Sequence, residues 1–184
     1  MIEAVKVCLT APPGTGKSTV IKKVVGQLQH LGVPLSGFYT EEVLDQSGTR
    51  IGFDLVDVNG QKRAALSRVG FASPVMVERY GVDLDSLAAF LPLVDVKADV
   101  VVIDEIGKMQ LASPAFCQML EDVFNRDCVI LSTVHVFEHD VTDRLRVRAD
   151  VHVVSVTEEN RDGMVSTAVH TLVHNLHKRY TWPF

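Results

Sequence analysis

A short segment near the start of the chain combines two glycines, a lysine and several hydroxyl groups. Residues Leu9–Thr19 read Leu-Thr-Ala-Pro-Pro-Gly-Thr-Gly-Lys-Ser-Thr. They match the phosphate-binding template of Gly, four free positions and Gly-Lys-Ser/Thr, except that Ala11 stands at the first glycine. Main-chain N–H groups of such a loop can surround an anion, and the N-terminus of the following helix adds partial positive charge. The segment therefore predicts a site for the phosphates of a nucleotide.

Lys17 and Ser18 carry the side-chain chemistry of this loop. Lys17 can reach the β- and γ-phosphates, and the Ser18 hydroxyl suits the Mg²⁺ ion that those phosphates carry. The methyl group of Ala11 is compatible with the loop if its φ is negative. We expect nucleotide contacts along the whole loop: Ala11, Pro12, Pro13, Gly14, Thr15, Gly16, Lys17, Ser18 and Thr19.

A second group of chemically capable residues ends the apolar run at 99–105. This run of β-branched residues finishes in Asp104 and Glu105, and its two apolar faces predict a central parallel strand covered by helices on both sides. Asp104 would hold Mg²⁺ together with Ser18. Glu105 would orient and deprotonate a water in line with the γ-phosphate, as hydrolysis requires. The alternative is that both acids only begin a solvated loop.

Further groups could act on the same phosphates. Positive charge for a transition state could come from an arginine, and the candidates are Arg126, Arg144, Arg146, Arg148 and Arg161. Each is also explained as a surface residue, and the alternation at 144–148 favours an exposed strand edge. Ser132 and Thr133 could sense the γ-phosphate or could end their strand.

Strands and helices alternate around these residues. The spacing predicts the following elements: strand 5–10, helix 18–31, a β-meander of runs 37–44, 50–58 and 62–66, strand 75–80, helix 87–93, strand 99–105, a helix from Ser113-Pro114, strand 128–133, strand 151–156 and helix 158–178 capped by Thr157. This order predicts an α/β three-layer sandwich with a mostly parallel central sheet. The antiparallel β-meander, about residues 36–67, is an insertion in one domain spanning 1–184.

Composition narrows the class of protein. The 184 residues carry a net charge of −5, which disfavours a general nucleic-acid binder. No apolar run is long enough to cross a membrane, and Met1–Ala4 lacks the basic start of a secretory signal. The separated cysteines Cys8, Cys117 and Cys128 predict buried thiols in a reducing compartment, hence a cytoplasmic protein. His170 and His174 share a helical face, for which solvent exposure is favoured over metal binding.

Seven segments in order along the chain carry a family resemblance. They are Ala11–Ser18, Gly37–Val43, Arg50–Asp54, Leu66–Gly70, Tyr80–Leu84, Val102–Met109 and Val156–Arg161. The strings Gly-Phe-Tyr-Thr-Glu-Glu and Ile-Asp-Glu-Ile-Gly-Lys-Met are the specific ones. Together these segments resemble the cancer-related nucleoside triphosphatase family of P-loop NTPases. Ala11 departs from the family's usual Gly, and residues 132–148 do not follow its pattern.

The resemblance implies a RecA/AAA-like fold and slow, broad-specificity hydrolysis of nucleoside triphosphates with Mg²⁺. It also implies nucleotide contacts at the loop and along the second motif: Val101, Val102, Ile103, Asp104, Glu105, Ile106, Gly107 and Lys108. By the same resemblance, Asn160 and Arg161 would flank the base.

We therefore expect a Mg²⁺-dependent enzyme that hydrolyses nucleoside 5′-triphosphates such as ATP and GTP to the diphosphate and phosphate. Lys17 and Glu105 would be its catalytic residues, and Ser18 and Asp104 its metal ligands. A small nucleoside or nucleotide kinase is the alternative, with 144–148 as an arginine-bearing lid. A nucleotide-dependent binding module whose meander contacts a partner is a third reading. The expected partner is the triphosphate, without membrane or nucleic acid, on a monomeric protein.

Overall fold

A nine-stranded mixed sheet forms the centre of the computed structural model, which describes residues 5–180. The strand order is β5-β6-β4-β3-β2-β7-β8-β1-β9. The strands are β1 Lys6–Thr10, β2 Leu35–Leu44, β3 Arg50–Asp57, β4 Arg63–Val69, β5 Met76–Val77, β6 Tyr80–Val82, β7 Val100–Ile106, β8 Val129–Val134 and β9 Val151–Ser155. The expectation about a signal at Met1–Ala4 lies outside the described residues.

Helices connect most of the parallel strands. They are α1 Lys17–His30, α2 Leu84–Ala88, α3 Lys108–Leu111, α4 Pro114–Phe124, α5 Asp140–Arg146 and α6 Arg161–Tyr180. The predicted helix after the glycine loop is confirmed as α1, which ends at His30 and is followed by the C-cap residue Leu31 and the left-handed Gly32. The Ser113-Pro114 start is also confirmed, because the Ser113 side chain accepts a hydrogen bond from the N–H of Phe116 at the beginning of α4.

Apolar residues on both faces of the central strands build two separate cores. Val100 and Val102 of β7 pack with α1 and α6, whereas Val101 and Ile103 pack with the helices of the opposite face. Each buried aliphatic side chain of this kind contributes about 1.5–3 kcal/mol. The predicted three-layer arrangement is therefore present, with β7 held between the layers.

The expectation of a mostly parallel sheet is wrong. Four strand pairs are parallel, β1 with β8, β1 with β9, β2 with β7 and β7 with β8. Four others are antiparallel, and they run from β2 through β3, β4, β6 and β5. The meander is continuous with the sheet because the ten-residue β2 pairs with β7 at Leu35–Phe38 and with β3 at Phe38–Leu44. Sequence patterns do not show that one strand serves both pairings.

Three local expectations also need correction. The strand expected at 75–80 is two short strands, β5 and β6, joined by a turn in which Glu78 has a φ of +54°. The exposed edge expected at 144–148 is mostly helix α5, whose Val141 and Leu145 are buried one turn apart. The last helix begins at Arg161, because Thr157 and Asn160 first form a hydrogen-bonded turn.

The expected helix at 87–93 begins earlier, at Leu84, and is short. Asp83 caps α2 by accepting from the N–H groups of Asp85 and Ser86, and a 3-10 turn at Leu91–Leu93 follows. The acidic cluster before Ser86 therefore does act as the cap.

Cysteine and histidine side chains are partly as expected. Cys8 and Cys128 are buried free thiols, Cys117 is half-buried, and burial raises the pKa of Cys8 to about 11. The rings of His170 and His174 stack on an exposed face of α6, and the described residues contain no group of three or more potential metal ligands. Within residues 5–180 no helix combines the length and apolar character that a membrane span needs.

A chain of ion pairs joins α1 to the meander. Lys22 of α1 contacts Glu41 of β2 at 2.7 Å, and Glu41 also contacts Arg63 of β4 at 2.6 Å. Arg63 and Arg68 both pair with Asp54 of β3. We name these residues the meander ion-pair chain, because it links the helix of the glycine loop to three strands.

Asp150 holds β9 beside β1 through charge. Its carboxylate pairs with the buried Lys6 of β1 and accepts two bonds from Arg148 at 2.8 and 2.9 Å. The hydrogen bonds and positive charges of Arg148 and Lys6 hold the pKa of Asp150 far below its usual value.

Replacing Asp150 by Asn should therefore destabilise the protein by about 3 kcal/mol at neutral pH, because the Lys6 ammonium remains buried without its counter-charge. Since the folded pKa is depressed, this stabilisation exists above about pH 4 and is lost as the pH falls below it. Urea unfolding between pH 7 and pH 3 measures the difference. The exposed Asp122→Asn is the matched control, and a difference that stays constant over this range would contradict the assignment.

Candidate active site

The loop between β1 and α1 has the backbone that its glycines predict. Gly14 and Gly16 have φ values of +80° and +99°, in the left-handed region that residues with a Cβ rarely adopt. Among the described non-glycine residues, only Glu78 has a positive φ, so Ala11 keeps a backbone that accepts its methyl group. Ala11 is buried, and it replaces the template glycine without opening the loop.

Lys17 lies inside this loop. Its side chain is buried, and Nζ donates to the carbonyl oxygen of Ala11 at 2.9 Å and of Pro12 at 3.4 Å. The hydroxyl of Thr15 donates to the same Pro12 carbonyl at 2.9 Å. The loop therefore holds a cation at its centre, where the polyphosphate site is expected.

Asp104 is fully buried at the carboxyl end of β7, and three elements contact its carboxylate. It accepts bonds from the hydroxyls of Thr133 on β8 and Ser18 on α1, the latter at 3.5 Å, and from the N–H of Thr40 on β2 at 3.4 Å. Burial raises the pKa of Asp104, and these hydrogen bonds and the charge of Lys17 oppose the rise. Ser18 and Asp104, the two expected metal ligands, are thus neighbours.

Glu105 follows Asp104 through a cis peptide bond and faces a cavity of about 630 Å³ together with Lys17 and Ser18. Burial and, secondarily, the negative charge of Asp104 raise the pKa of Glu105 to about 7, although Lys17 opposes the rise. No hydrogen bond from the described residues contributes to this shift. A carboxylate in this position can accept a proton near neutral pH.

The structure brings only part of the expected contact residues to the cavity. From the loop, Pro13, Gly14, Gly16, Lys17, Ser18 and Thr19 line it, and from the second motif Glu105, Gly107 and Lys108 do so. The side chains of Val101, Val102, Ile103 and Ile106 do not reach it, because they are fully buried in the two cores. Their role is to fix β7.

The meander forms the other wall of the cavity, which the sequence analysis missed. Lining residues from this part of the chain include Thr40, Glu42, Arg50, Phe53 and Tyr80. The only available signal was that these positions lie in or beside the segments that carry the family resemblance. Pairing of β2 with both β7 and β3 places them beside the glycine loop.

The expected arginines are mostly engaged elsewhere. Arg144 pairs with Glu121 on the surface, and Arg146 pairs with Asp143 and donates to the backbone of His135. Arg148 holds Asp150, as described above. Arg126 is exposed and lies outside the cavity lining.

Arg161 is the candidate that approaches the loop. Its Cδ lies about 3.9 Å from where a Cβ on Gly16 would stand. A second cavity of about 290 Å³ opens there, lined by Gly16, Thr19 and Arg161 among others. Asn160 does not line it, since its side chain bonds Ser155 and Thr157.

The two strand-end hydroxyls have different roles. Thr133 donates to Asp104, whereas Ser132 lies buried against Cys8 and bonds the carbonyl of Val7. Thr133 is therefore part of the site, and Ser132 belongs to the sheet interior.

Known proteins that are similar in sequence to this chain are named as nucleoside triphosphatases. A family model described as NTPase matches residues 6–169. The chain belongs to this nucleoside-triphosphatase family. The human protein named cancer-related nucleoside-triphosphatase is 42% identical over 180 residues, which covers 89% of this chain and 94% of the relative. A Thermotoga sp. (strain RQ2) protein named nucleoside-triphosphatase THEP1 is 33% identical over 174 residues, with 92% and 97% covered.

Solved structures of NTPase-family relatives share the fold. The solution structure of a human cancer-related nucleoside triphosphatase aligns with a TM-score of 0.76 at 40% identity, covering 92% of this chain and 97% of that one. The crystal structure of THEP1 from Aquifex aeolicus aligns with a TM-score of 0.79 at 28% identity, covering 91% and 99%. The range that the family model matches, residues 6–169, includes the glycine loop, the meander and β7.

Gly107 leaves the space that the Glu105 side chain occupies. A Cβ at Gly107 would lie 3.1 Å from Cγ and Cδ of Glu105 and 3.2 Å from Oε1. Because the φ of Gly107 is −129°, its backbone accepts alanine, and the Glu105 side chain has to move. Gly107→Ala should lower the turnover of nucleoside triphosphate by about tenfold, because the Glu105 carboxylate is displaced by a few tenths of an ångström, with nucleotide affinity retained.

Steady-state phosphate release and nucleotide titration measure these two effects. Gly26→Ala in α1 is the matched control, because nothing lies within 4 Å of a Cβ there. Equal turnover in Gly107→Ala and Gly26→Ala would show that the position of Glu105 does not matter.

Proposed function

We propose that this protein hydrolyses nucleoside 5′-triphosphates to the diphosphate and inorganic phosphate in a Mg²⁺-dependent reaction with broad base specificity. The observation that carries this proposal is the convergence of Lys17, Ser18 and Glu105 on one cavity, with the buried Asp104 hydrogen-bonded to Ser18 behind its lining. The names of the relatives support the same reaction class.

The donor set fits Mg²⁺. This ion prefers oxygen ligands and keeps several waters, so a hydroxyl and a buried carboxylate are sufficient protein ligands. Ser18 and Asp104 would hold it, and when bound it would offset negative charge on the β- and γ-phosphates. Thr40 and Thr133 keep the Asp104 carboxylate turned toward Ser18.

In the proposed reaction the chain supplies two functions besides holding the metal. The N–H groups of the loop and the Lys17 ammonium bind the phosphates. The carboxylate of Glu105 accepts a proton from water, whose oxygen then bonds the γ-phosphorus. The bond between that phosphorus and the β,γ-bridging oxygen breaks, and the diphosphate leaves with the electron pair.

The smaller cavity supports broad base specificity. It is lined by loop backbone and by long side chains such as Lys23 and Arg161. The flexible stem of Lys23 can move its ammonium group to acceptor atoms of different bases.

The proposal also includes the RecA/AAA-like fold, the cellular compartment and the oligomeric state. The RecA/AAA-like form belongs to it, since β8 lies between β1 and β7 and brings Thr133 to Asp104. The three free thiols support action in the cytoplasm. That the protein is a monomer remains a prediction from the sequence.

Removing either central side chain should separate binding from chemistry. Lys17→Ala should abolish phosphate release and weaken nucleotide binding, because the buried cation of the loop is lost. Glu105→Gln should lower turnover by about 10²- to 10⁴-fold with binding retained, since the amide cannot accept the proton.

Phosphate release and equilibrium binding of a non-hydrolysable triphosphate measure these effects. Glu121→Gln, which changes an exposed residue of α4, serves as the matched control. Unchanged turnover in Glu105→Gln would remove Glu105 from the mechanism.

The pH dependence follows from the same carboxyl group. The base form of Glu105 is the ionised one, and with a pKa of about 7 its fraction rises as the pH passes through neutrality. We expect kcat to rise from pH 6 to pH 8 and then level off. Glu105→Gln should lose this rise in its residual activity, and a rise of equal size in the variant would assign it to another group.

A further inference from the structure

The main cavity is larger than hydrolysis requires. Its volume of about 630 Å³ lies within the range of about 300–1,000 Å³ that is typical of small-molecule sites. One attacking water occupies only about 30 Å³. Besides this water, the terminal phosphates occupy the part of the cavity beside Lys17, and the part along the meander is left for a further ligand.

The nucleotide itself is directed elsewhere. In a loop of this type the main-chain amides hold the α- and β-phosphates, and the lysine reaches the β- and γ-phosphates. The γ-phosphate therefore lies at Lys17 and Glu105, and ribose and base leave past Thr19. Thr19 and Gly16 line both cavities, so one nucleotide can extend from the main cavity into the smaller cavity beside Arg161.

The far side of the main cavity is lined by aromatic, charged and aliphatic residues of the meander and of β5 and β6. We name it the meander wall, and it consists of Glu42, Arg50, Phe53, Leu66, Val77 and Tyr80. Phe53 and Tyr80 contact edge to face at 5.6 Å, and the Arg50 guanidinium lies 5.1 Å from the centre of the Phe53 ring. Arg50 also donates to the Tyr80 hydroxyl at 3.2 Å and to Glu42 at 2.7 Å. Tyr80 and Leu66 are buried behind this surface, so the half-buried Phe53 ring and the Arg50 guanidinium are the groups that a planar, polar ring would contact.

A strained residue marks the same wall independently. Glu78 lines the cavity between β5 and β6 with a φ of +54°. A non-glycine residue in this conformation costs about 1–3 kcal/mol, and such residues cluster at ligand sites. The strain therefore coincides with the part of the cavity that the nucleotide does not need.

We propose that the meander wall binds a nucleoside whose hydroxyl group accepts the γ-phosphoryl group, so that the protein also acts as a nucleoside kinase. This proposal rests on the proposed function, because Lys17 and Glu105 would serve both reactions. The kinase alternative does not need an arginine lid at 144–148, where the arginines are held in pairs outside the cavity. It depends on the meander wall, which lines the same cavity as Glu105.

The transfer moves the γ-phosphoryl group from the triphosphate to the 5′-hydroxyl of the nucleoside. Glu105 takes the proton of the nucleoside 5′-hydroxyl, and the oxygen forms a bond with the γ-phosphorus. The bond between that phosphorus and the β,γ-bridging oxygen breaks, and the diphosphate departs with the electron pair. The products are a nucleoside diphosphate and a nucleoside monophosphate.

The test uses the full chain with γ-³²P-labelled ATP, Mg²⁺ and each of the common ribonucleosides and deoxyribonucleosides in turn. Chromatography separates labelled monophosphate from labelled inorganic phosphate. We expect label in a monophosphate for at least one nucleoside. Phe53→Ala should reduce the ratio of transfer to hydrolysis at least tenfold, and Phe71→Ala, an exposed phenylalanine outside the cavity lining, should keep it.

Arg50→Gln provides a second variant, because Phe53 also packs against the core. It should lower the same ratio without removing the ring. Equal ratios in Phe53→Ala, Arg50→Gln and Phe71→Ala would overturn the assignment of the acceptor to the meander wall.

The labelled products distinguish the loss of phosphoryl transfer from the loss of hydrolysis. Label in inorganic phosphate alone with every nucleoside, at the rate seen without acceptor, would overturn the kinase proposal and leave hydrolysis standing. Absence of both products would overturn the proposed function and the acceptor with it.

Discussion

The arrangement of the candidate site depends on the hydrogen bonds that one buried carboxylate, that of Asp104, accepts. Asp104 is withdrawn from solvent, and an ionised carboxyl group in that position is tolerated only with hydrogen bonds or opposite charge. Its partners are Ser18 on α1, Thr40 on β2 and Thr133 on β8. The helix of the glycine loop and two strands that flank β7 are therefore joined at one side chain. Thr40 also donates to the Asp104 carbonyl at 2.7 Å, so backbone and carboxylate are both fixed.

This arrangement sets the properties of Glu105. The next residue along the chain inherits a dry environment and a like charge beside it, and the two together raise its pKa to about 7. Lys17 limits the rise, because its ammonium is held within the loop. The raised pKa of Glu105 thus follows mainly from burial and secondly from the neighbouring Asp104, with no hydrogen bond from residues 5–180 among its causes. A displacement of Asp104 would therefore change its own contact with Ser18 and the pKa of Glu105 together.

The sequence was sufficient for the local parts of this account. Glycine spacing, the lysine and hydroxyl that follow it, and the β-branched run before Asp104 each have a short-range cause, and the structure shows the loop, α1 and β7 where they were expected. The sheet was harder, because β2 has an alternating pattern that does not tell whether its neighbour is parallel or antiparallel. For the same reason, Arg50, Phe53 and Tyr80 read as ordinary strand residues. Their place in the cavity depends on strand order, which local spacing does not encode. Helix α5 was missed because the arginines at every second position suggest a strand. The residues that pack against the core, Val141 and Leu145, are four positions apart, which is the helical spacing.

The meander ion-pair chain has a consequence for how the molecule can vary. It runs from Lys22 on α1 through Glu41 and Arg63 to Asp54, so its charges alternate between elements that are distant in sequence. If a different β-hairpin replaced β3 and β4, Glu41 would lose its partner Arg63. Glu41 would remain in place, because β2 also pairs with β7 in the central sheet. The meander is therefore not an exchangeable module. Its replacement would require compensating changes in the helix that carries the glycine loop, and the two should diversify together.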